Sequence, residues 1–284
     1  MAQHVREIKG HIGNIEDIAQ ITRAMNAIAM TKVARMKRKL ELARPYMDEL
    51  RSFIAEAVGR LPGEAEPVEL LAGNQSADVG IFVLNSDRGL CGRYKGDLNR
   101  RADELLVEAG GTGKLFAGGD KARLYFERRD VEPVRSYSRL YDTPAYDAAV
   151  QMTDDALDLY MAGGVGRVDL VYMHFISDLR QTLVVEPFLP VSIEPKVNDA
   201  LSEPDVRDVV ASALPTFLRG KMYLAILETK ASEDAIRRQA MKNATDNAED
   251  LLKTLTLSYN KARQQSITRE IADIIGGAEA LRDA

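Results

Sequence analysis

The chain has 284 residues, of which 45% are hydrophobic and 29% charged, and its formal net charge is −5. This composition is typical of a water-exposed protein with enough apolar side chains for a core, built as one large domain or two smaller ones. A single cysteine excludes an internal disulfide and favours a reducing compartment. No apolar run approaches the roughly 18–20 residues of a membrane span, and the N-terminus lacks the apolar core of a signal peptide.

An apolar stripe runs along the N-terminal segment, residues 3–58. Its members recur at steps of almost always three or four residues, which is the spacing of one face of an α-helix. The stripe comprises Ile8, Ile12, Ile15, Ile18, Ile21, Met25, Ile28, Val33, Met36 and Leu40. Such a helix would run on the order of 80 Å, so we predict that it needs a coiled-coil partner.

Basic residues cluster in the second half of this helix, with Glu41 as the only acid between residues 32 and 44. We call this cluster the basic collar; it consists of Lys32, Arg35, Lys37, Arg38, Lys39 and Arg44. A solvated helix face and a surface for an acidic protein partner both explain it. Binding to nucleic acid is a third interpretation, which the absence of interleaved aromatic residues and the negative net charge disfavour.

The middle of the chain has a different pattern. Runs rich in β-branched and apolar residues at 78–86, 114–119, 167–177 and 182–190 predict strands. Stretches at about 97–109 and 145–162 predict helices between some of them. This alternation predicts a small Rossmann-like α/β domain over residues 77–192 with a largely parallel sheet, and Pro- and Gly-containing connections on both sides.

The glycine-rich segment 107–121, VEAGGTGKLFAGGDK, resembles a phosphate-binding loop at first sight. It fails that test because Lys114 is followed by Leu115 instead of Ser or Thr, and Glu108 stands where the first glycine belongs. The segment also follows a helix and precedes a strand, which is the reverse of the phosphate-loop order. We predict a helix C-cap and turn here, and an α/β enzyme that uses this loop stays as an alternative.

The remaining candidates for catalysis are few. His4, His11 and His174 lack metal-ligand spacing with Cys91, and the first two are predicted to face solvent. Cys91 is interpreted as a small residue packed in a turn, with a nucleophile as the alternative. The residues therefore predict no catalytic residue, no metal site and no cofactor.

A second apolar stripe spans residues 207–281 and predicts a C-terminal helix that forms an antiparallel coiled coil with the first. Pro215 and Gly220 are predicted to bend or interrupt it, and Gly276 with Gly277 to end or fray it. The resulting organisation is a helix over 1–60, the α/β domain over 77–192 and a helix over 207–284. The C-terminal stripe is the longer one, so part of it is expected to project alone or to find another partner.

Four segments resemble the gamma subunit of F-type ATP synthases. They are ITRAMNAIAMTKVARMK (21–37), ARPYMDEL (43–50), NSDRGLCG (85–92) and AMKNATDNAEDLLKTLTLSYNKARQQSITREIADIIGGAEAL (240–281). They follow the family's order and span most of the chain, and the C-terminal segment is the most specific. Beyond residue 92 the middle domain is matched weakly.

The resemblance implies a central rotor shaft with no active site of its own. The implied partners are the alpha and beta subunits of the catalytic ring, the epsilon subunit and the membrane c-ring, with no nucleic acid. The implied location is peripheral, on the cytoplasmic face of a bacterial plasma membrane. A coiled-coil adaptor with an α/β head that does not rotate stays as the alternative.

The resemblance also implies a set of subunit-contact residues, matched position by position. They are Met25, Lys32, Arg35, Arg237, Arg263, Gln264, Thr268, Glu270 and Asp273. Arg263 and Gln264 match the family's Arg-Gln pair, whose planar donors suit a carboxylate on a loop of a beta subunit. Each of these residues is alternatively an ordinary helix-surface residue.

The sequence departs from the family pattern at three places. Residues 91–95 read CGRYK, where the family usually has Cys-Gly-Gly, an aromatic residue or Leu, and Asn. This change adds positive charge to a surface expected to meet epsilon, the rotor foot or lipid headgroups. Asp234, Arg238 and Gln239 replace the family's common His or Gln, Met and Val, and Asp273 replaces its usual Glu. Unusual chemistry is therefore expected on the second helix near residue 234.

Overall fold

The computed structural model describes residues 2–61, 68–140, 144–196 and 205–282. In chain order its elements are α1 (Ala2–Val58), α2 (Glu69–Ala72), β1 (Val79–Leu84), α3 (Tyr94–Glu108), β2 (Gly113–Gly118), α4 (Asp120–Glu127), β3 (Arg135–Tyr137), α5 (Tyr146–Met161), β4 (Arg167–Phe175), β5 (Gln181–Leu189) and α6 (Val206–Arg282). The predicted fold class, two long terminal helices with an inserted α/β domain, is confirmed. The elements α2, α4 and β3 were not predicted, and the two helices among them have only four and eight residues.

The chain forms two compact units. The first unit consists of Met1–Ile28 and Arg238–Ala284, and the second unit is Ala29–Arg237. Each long helix therefore contributes one segment to each unit. None of the helices in the described part of the chain is long and apolar enough to cross a membrane.

In the first unit, small side chains line the contact between α1 and α6. Ala19 and Ala248 are buried, and Thr22 and Thr245 are buried beside each other. Their hydroxyl oxygens lie 2.8 Å apart. Small residues allow two helix backbones to approach closely. The surface ion pair that joins the two helices, Arg23 with Glu249 at 3.2 Å, adds little to the free energy of unfolding.

In the second unit, α1 and α6 run antiparallel. Met47 lies against Gly220, and Arg44, which precedes Met47 on α1, pairs with Glu228, which follows Gly220 on α6. A Cβ atom at Gly220 would lie 2.5 Å from the sulfur of Met47, so glycine leaves room for this side chain. The predicted interruption at Pro215 and Gly220 is wrong, because the helix continues through both and its buried face packs in the core.

The predicted end of α6 at Gly276 and Gly277 is also wrong. The helix continues to Arg282. The two glycines are followed by AEAL, whose residues are strong helix formers, so the local preference for helix resumes directly after them.

The α/β domain of the second unit contains one sheet with the strand order β3-β2-β1-β4-β5. The pairs β3–β2, β2–β1 and β1–β4 are parallel, and β4–β5 is antiparallel. The prediction of a largely parallel sheet is confirmed. The last strand differs because only the short turn 176–180 joins it to β4, and a parallel pair needs a crossover of a dozen or more residues.

Both faces of this sheet are covered. Phe82 and Leu84 of β1 belong to a core with α5 and the adjoining parts of α1 and α6. Ile81 and Val83, which alternate with them, belong to a second core with α3 and α4. This three-layer arrangement explains why β1 reads as a continuous apolar run without polar alternation.

Candidate functional site

The strand order reverses direction beside β1, because β2 and β3 lie on one side of it and β4 on the other. In doubly wound folds, ligands bind in the crevice at this position, outside the carboxyl ends of the strands. In this chain, helix α6 lies at that crevice. Ser232 donates to the carbonyl oxygen of Met173 on β4 at 3.1 Å, and Tyr94 donates to the carbonyl oxygen of Thr229 at 3.2 Å. The position that binds a nucleotide in other folds therefore holds the chain's own helix.

The segment 85–92, NSDRGLCG, follows β1 at this crevice, and we call it the switch-point loop. Asn85 donates to Asn99 on α3 at 2.6 Å. A carboxylate oxygen of Asp87 accepts from the backbone N–H of Asp120 at 3.1 Å, which satisfies an orphan donor at the start of α4. The loop is therefore bonded to both helices on its side of the sheet.

A buried cluster of charges lies on α6 beside this loop. We call it the ionic cluster; it consists of Lys230, Glu233, Asp234 and Arg237. The amino group of Lys230 lies 3.2 Å from Glu233 and 3.0 Å from Asp234. Arg237 pairs with Glu233 and lies 2.8 Å from Asp234. Burial raises the pKa of the Asp234 carboxyl, and Lys230 and Arg237 only partly offset this effect.

The structure places Arg237 inside this cluster, with 8% of the residue exposed. Its guanidinium also donates to the carbonyl oxygen of Gly89 in the switch-point loop, at 3.2 Å and 3.4 Å. The hydrogen bonds of this arginine are thus directed at groups of its own chain. Its implied role as a direct subunit contact has no support from this geometry.

A second buried carboxylate connects three elements of the second unit. Glu228 on α6 pairs with His174 on β4 and with Arg44 on α1, the latter at 2.9 Å. Arg44 also donates to the carbonyl oxygen of Phe175. Arg44, the last member of the basic collar, therefore has a structural role inside the fold.

A cleft of about 510 Å³ lies next to this group, between α1, β5 and α6. Its charged side chains are largely engaged with the chain itself: Lys221 donates to the carbonyl oxygen of Pro187 at 2.7 Å and lies 3.5 Å from Glu186. Burial lowers the pKa of Lys221, and Glu186 opposes that shift. Acidic and basic residues both line the cleft, so it has no preference for an anion or a cation.

The glycine-rich segment adopts the predicted helix C-cap and turn. Helix α3 ends at Glu108, and Gly110 and Gly111 follow with φ of +64° and +93° before β2 begins. The amino group of Lys114 lies 3.1 Å from a carboxylate oxygen of Asp78 and donates to the carbonyl oxygen of Gly164 at 2.6 Å. A lysine held in this way is directed at a carboxylate, and the arrangement does not favour the alternative of a nucleotide-binding enzyme.

The other catalytic candidates are placed as follows. His4 and His11 are exposed, which confirms their predicted orientation. Cys91 is buried, and this burial raises the pKa of its thiol, so the thiolate needed of a nucleophile is disfavoured. Its interpretation as a packed residue in a turn is confirmed. Among the described residues, no group of His, Cys, Asp and Glu has the arrangement of a metal site.

The rest of the basic collar divides into two groups. Lys37 lies 3.5 Å from Asp178, and Lys39 donates to the carbonyl oxygen of Pro144 at 3.5 Å. Lys32 is half-buried, Arg35 and Arg38 are exposed, and none of the three forms an ion pair with any residue that the structure describes. These three collar residues are therefore available to a partner.

In the first unit, the implied contact residues of α6 lie on the surface. They are Arg263, Gln264, Thr268, Glu270 and Asp273, and all are exposed, whereas Met25 on α1 is half-buried. Long apolar side chains are exposed among them: Ile267 at 48%, Ile271 at 53% and Ile274 at 70%. These isoleucines belong to the C-terminal apolar stripe and lie uncovered in this unit. The expectation that part of this stripe projects alone or finds another partner stays a prediction.

Sequence reasoning did not single out Glu228, Lys230 or Glu233. A signal was present, because the members of the ionic cluster are spaced at i, i+3, i+4 and i+7 and therefore share one face of a helix. The same spacing describes an exposed, salt-bridged helix surface. Only packing against the switch-point loop and β4 distinguishes the two.

Comparison with known proteins identifies the family. A family model described as ATP synthase matches residues 4–281. The ATP synthase gamma chain of Moorella thermoacetica is 36% identical over 282 residues, covering 98% of this chain and 99% of the relative. That of Mycolicibacterium smegmatis is 36% identical over 306 residues and covers 99% of both.

Solved structures share the fold. A chain of the Euglena gracilis mitochondrial ATP synthase matches 99% of this chain and 95% of its own length, with a TM-score of 0.69 and 17% identity. A chain from the central stalk and c-ring of the Tetrahymena thermophila enzyme matches 79% of this chain with a TM-score of 0.60 and 18% identity. With the family model and the two bacterial relatives spanning nearly its whole length, the chain belongs to the ATP synthase gamma-chain family.

Proposed function

We propose that this chain is the central-stalk rotor subunit of a rotary ATP synthase and has no active site of its own. The observation that carries the proposal is the exposed surface of α6 in the first unit, where the polar residues implied as contacts and large isoleucines lie together without cover. Exposed apolar patches of this kind mark interaction sites. Family membership supplies the partners: alpha and beta subunits around α6, and epsilon and the membrane c-ring at the α/β domain.

The mechanism follows from the asymmetry of a shaft made of two unequal helices. Each beta subunit meets a different side of it and is held in a different conformation. Rotation changes which conformation is favoured at each catalytic site, and this is a population shift driven by differential contacts. Arg263 and Gln264 are the contact residues with the strongest support, since both are exposed and offer planar donors to a carboxylate.

A test of this function mixes the purified chain with alpha and beta subunits from the same source. ATP hydrolysis is measured with the chain, without it and with the chain alone, and native mass spectrometry counts the copies in the assembly. We expect one copy per ring and strong stimulation of hydrolysis. An unassembled, inactive ring would favour the non-rotating adaptor, and hydrolysis by the chain alone would favour an enzyme.

The proposed location is peripheral, on the cytoplasmic face of a bacterial plasma membrane. We expect the assembled complex to sediment with membrane vesicles that carry the c-ring, and to stay in solution with vesicles that lack it. Sedimentation with both kinds of vesicle would instead indicate direct binding to lipid, for which Arg93 and Lys95 are candidates, since both are exposed.

A further inference from the structure

We propose that Arg237 is a positioning residue that joins α6 to the switch-point loop, and that torque passes between the α/β domain and α6 through this joint. The inference rests on the proposed rotor function. It concerns only the second unit, in which the loop, the sheet and the ionic cluster all lie.

The geometry of the ionic cluster identifies Arg237 as its connection to the loop. The hydrogen bonds of Lys230 go to Glu233 and Asp234, three and four residues further along the same helix. Arg237 bonds to the same two carboxylates and also donates to the carbonyl oxygen of Gly89. Among the described contacts of the cluster, the hydrogen bonds from Arg237 to Gly89 are the ones that leave α6.

The cluster is poorly explained as a source of stability. All four side chains are buried, with two positive and two negative formal charges. Removing such charges from water offsets most of their mutual attraction, so a buried ion pair rarely adds much to the free energy of unfolding. One carboxylate oxygen of Asp234 is buried without a hydrogen-bond partner, which adds to the cost. A directional role, in which the carboxylates hold the guanidinium toward Gly89, explains the arrangement better.

The loop side of the joint is fixed to the α/β domain. Asp87 accepts from the start of α4, and the carbonyl oxygen of Ser86 accepts from the N–H of Lys121 at 3.0 Å. A displacement of the α/β domain therefore moves the carbonyl oxygen of Gly89 with it. The bonds of Thr229 to Tyr94 and of Ser232 to Met173 add two neutral contacts on the same stretch of α6.

Cys91 is a natural probe of this joint. It is the only cysteine of the chain, it lies in the switch-point loop, and it is 1% exposed. A buried thiol reacts with a soluble disulfide reagent only when its surroundings open. Its labelling rate therefore reports how often the loop separates from α6.

The experiment compares the wild-type chain with Arg237→Gln and with the double swap Glu233→Arg/Arg237→Glu. The swap keeps an ion pair between positions 233 and 237, but a glutamate cannot donate to the carbonyl oxygen of Gly89. The matched control is Arg219→Gln, which removes an arginine that binds Asp154 on α5 at 2.8 Å and makes no contact with the loop. Thiol labelling is measured on the purified full chain, and ions pumped per ATP hydrolysed on the membrane-bound holoenzyme.

We expect both variants to label Cys91 at least about tenfold faster than wild type, as the loss of a charge-assisted hydrogen bond implies for local opening. We also expect them to hydrolyse ATP while pumping several-fold fewer ions per ATP. Arg219→Gln should match wild type in both assays. Arg237→Lys, which keeps the charge but not the planar fork, should fall between wild type and Arg237→Gln, and it serves as the test if Arg237→Gln does not fold.

Labelling and pumping at wild-type values in Arg237→Gln or Arg237→Lys would contradict the proposal that Arg237 joins α6 to the loop. A double swap with wild-type labelling and pumping would also contradict the proposal. It would mean that the ion pair between positions 233 and 237 is enough and that the hydrogen bond to Gly89 is not needed. A wild-type chain that labels slowly but never assembles with alpha and beta subunits would instead contradict the rotor function. The two failures are therefore distinguishable.

Discussion

Thr22 on α1 and Thr245 on α6 bring their hydroxyl oxygens to within 2.8 Å of each other inside the helix pair of the first unit. Each hydroxyl also lies within hydrogen-bond distance of a carbonyl oxygen of its own helix, Thr22 of Ala19 at 3.1 Å and Thr245 of Met241 at 2.9 Å. Because a hydroxyl has one proton to donate, one threonine donates to the other across the pair while the second donates to its own helix. A hydrophobic residue of similar size at either position would fill the same space but could not form the hydrogen bond between the helices. This bond therefore specifies the register of the two helices at a position where the side chains are small.

The threonine pair predicts a non-additive response to substitution. Thr22→Val and Thr245→Val should each lower the free energy of unfolding by ~1 kcal/mol, since a buried hydrogen bond is lost. The double variant should lose less than the sum, because two valines leave no unpaired hydroxyl. Urea unfolding of the full chain, followed by circular dichroism, measures this coupling.

The control for this cycle is Thr254→Val with Thr256→Val, two exposed threonines of α6 that bond only to carbonyls of their own helix. Their effects should be small and additive. Additive losses in the Thr22 and Thr245 cycle would show that the two hydroxyls act independently and do not specify register.

The exposed pair Arg263 and Gln264 predicts a functional loss without a loss of stability. Changing both to Ala should reduce the stimulation of ATP hydrolysis by about tenfold, which corresponds to ~1.4 kcal/mol. The melting temperature of the free chain should not change, because both side chains are exposed. The matched control, Asp250→Ala with Lys253→Ala, removes another exposed pair on α6. Equal losses in the two variants would argue against a specific contact.

The basic collar predicts a weak response. Lys32→Ala should reduce ATP-driven ion pumping only slightly, since a screened surface contact contributes ~0–1 kcal/mol. The effect should decrease further as salt is added. Fluorescence quenching in inverted membrane vesicles measures the pumping. A large loss from this single change would mean that Lys32 is buried against a partner carboxylate in the assembly.

Asp169 on β4 predicts a dependence of stability on pH. Burial raises the pKa of its carboxyl, and the ion pair with Arg167 at 3.0 Å only partly offsets this. A folded-state pKa above the unfolded one means that the ionised form destabilises the fold at neutral pH and that this penalty disappears as the pH falls. Asp169→Asn should therefore raise the free energy of unfolding at pH 8 by on the order of 1 kcal/mol.

The advantage of Asp169→Asn over wild type should shrink toward about pH 4, where the carboxyl titrates in the unfolded chain. Thermal melts across this pH range provide the measurement. Asp250→Asn, at a position that is exposed, should show no such trend. A gain from Asp169→Asn that grows as the pH falls would contradict the assigned direction.

The sequence by itself determined the two long helices, the α/β domain between them and the helix C-cap and turn in the glycine-rich segment. These follow from local signals: a spacing of three to four residues, β-branched runs, and glycines directly after a helix.

Only the tertiary structure decided how polar residues are used. Arg237 and Arg263 lie on the same helix, yet Arg237 is buried against Gly89 and Arg263 is exposed. Similarly, α6 continues through Gly220, where the absence of a side chain leaves room for Met47. A helical spacing specifies which residues share a face, but what covers that face depends on segments distant in sequence, so the partner of a charge is decided only when those segments pack.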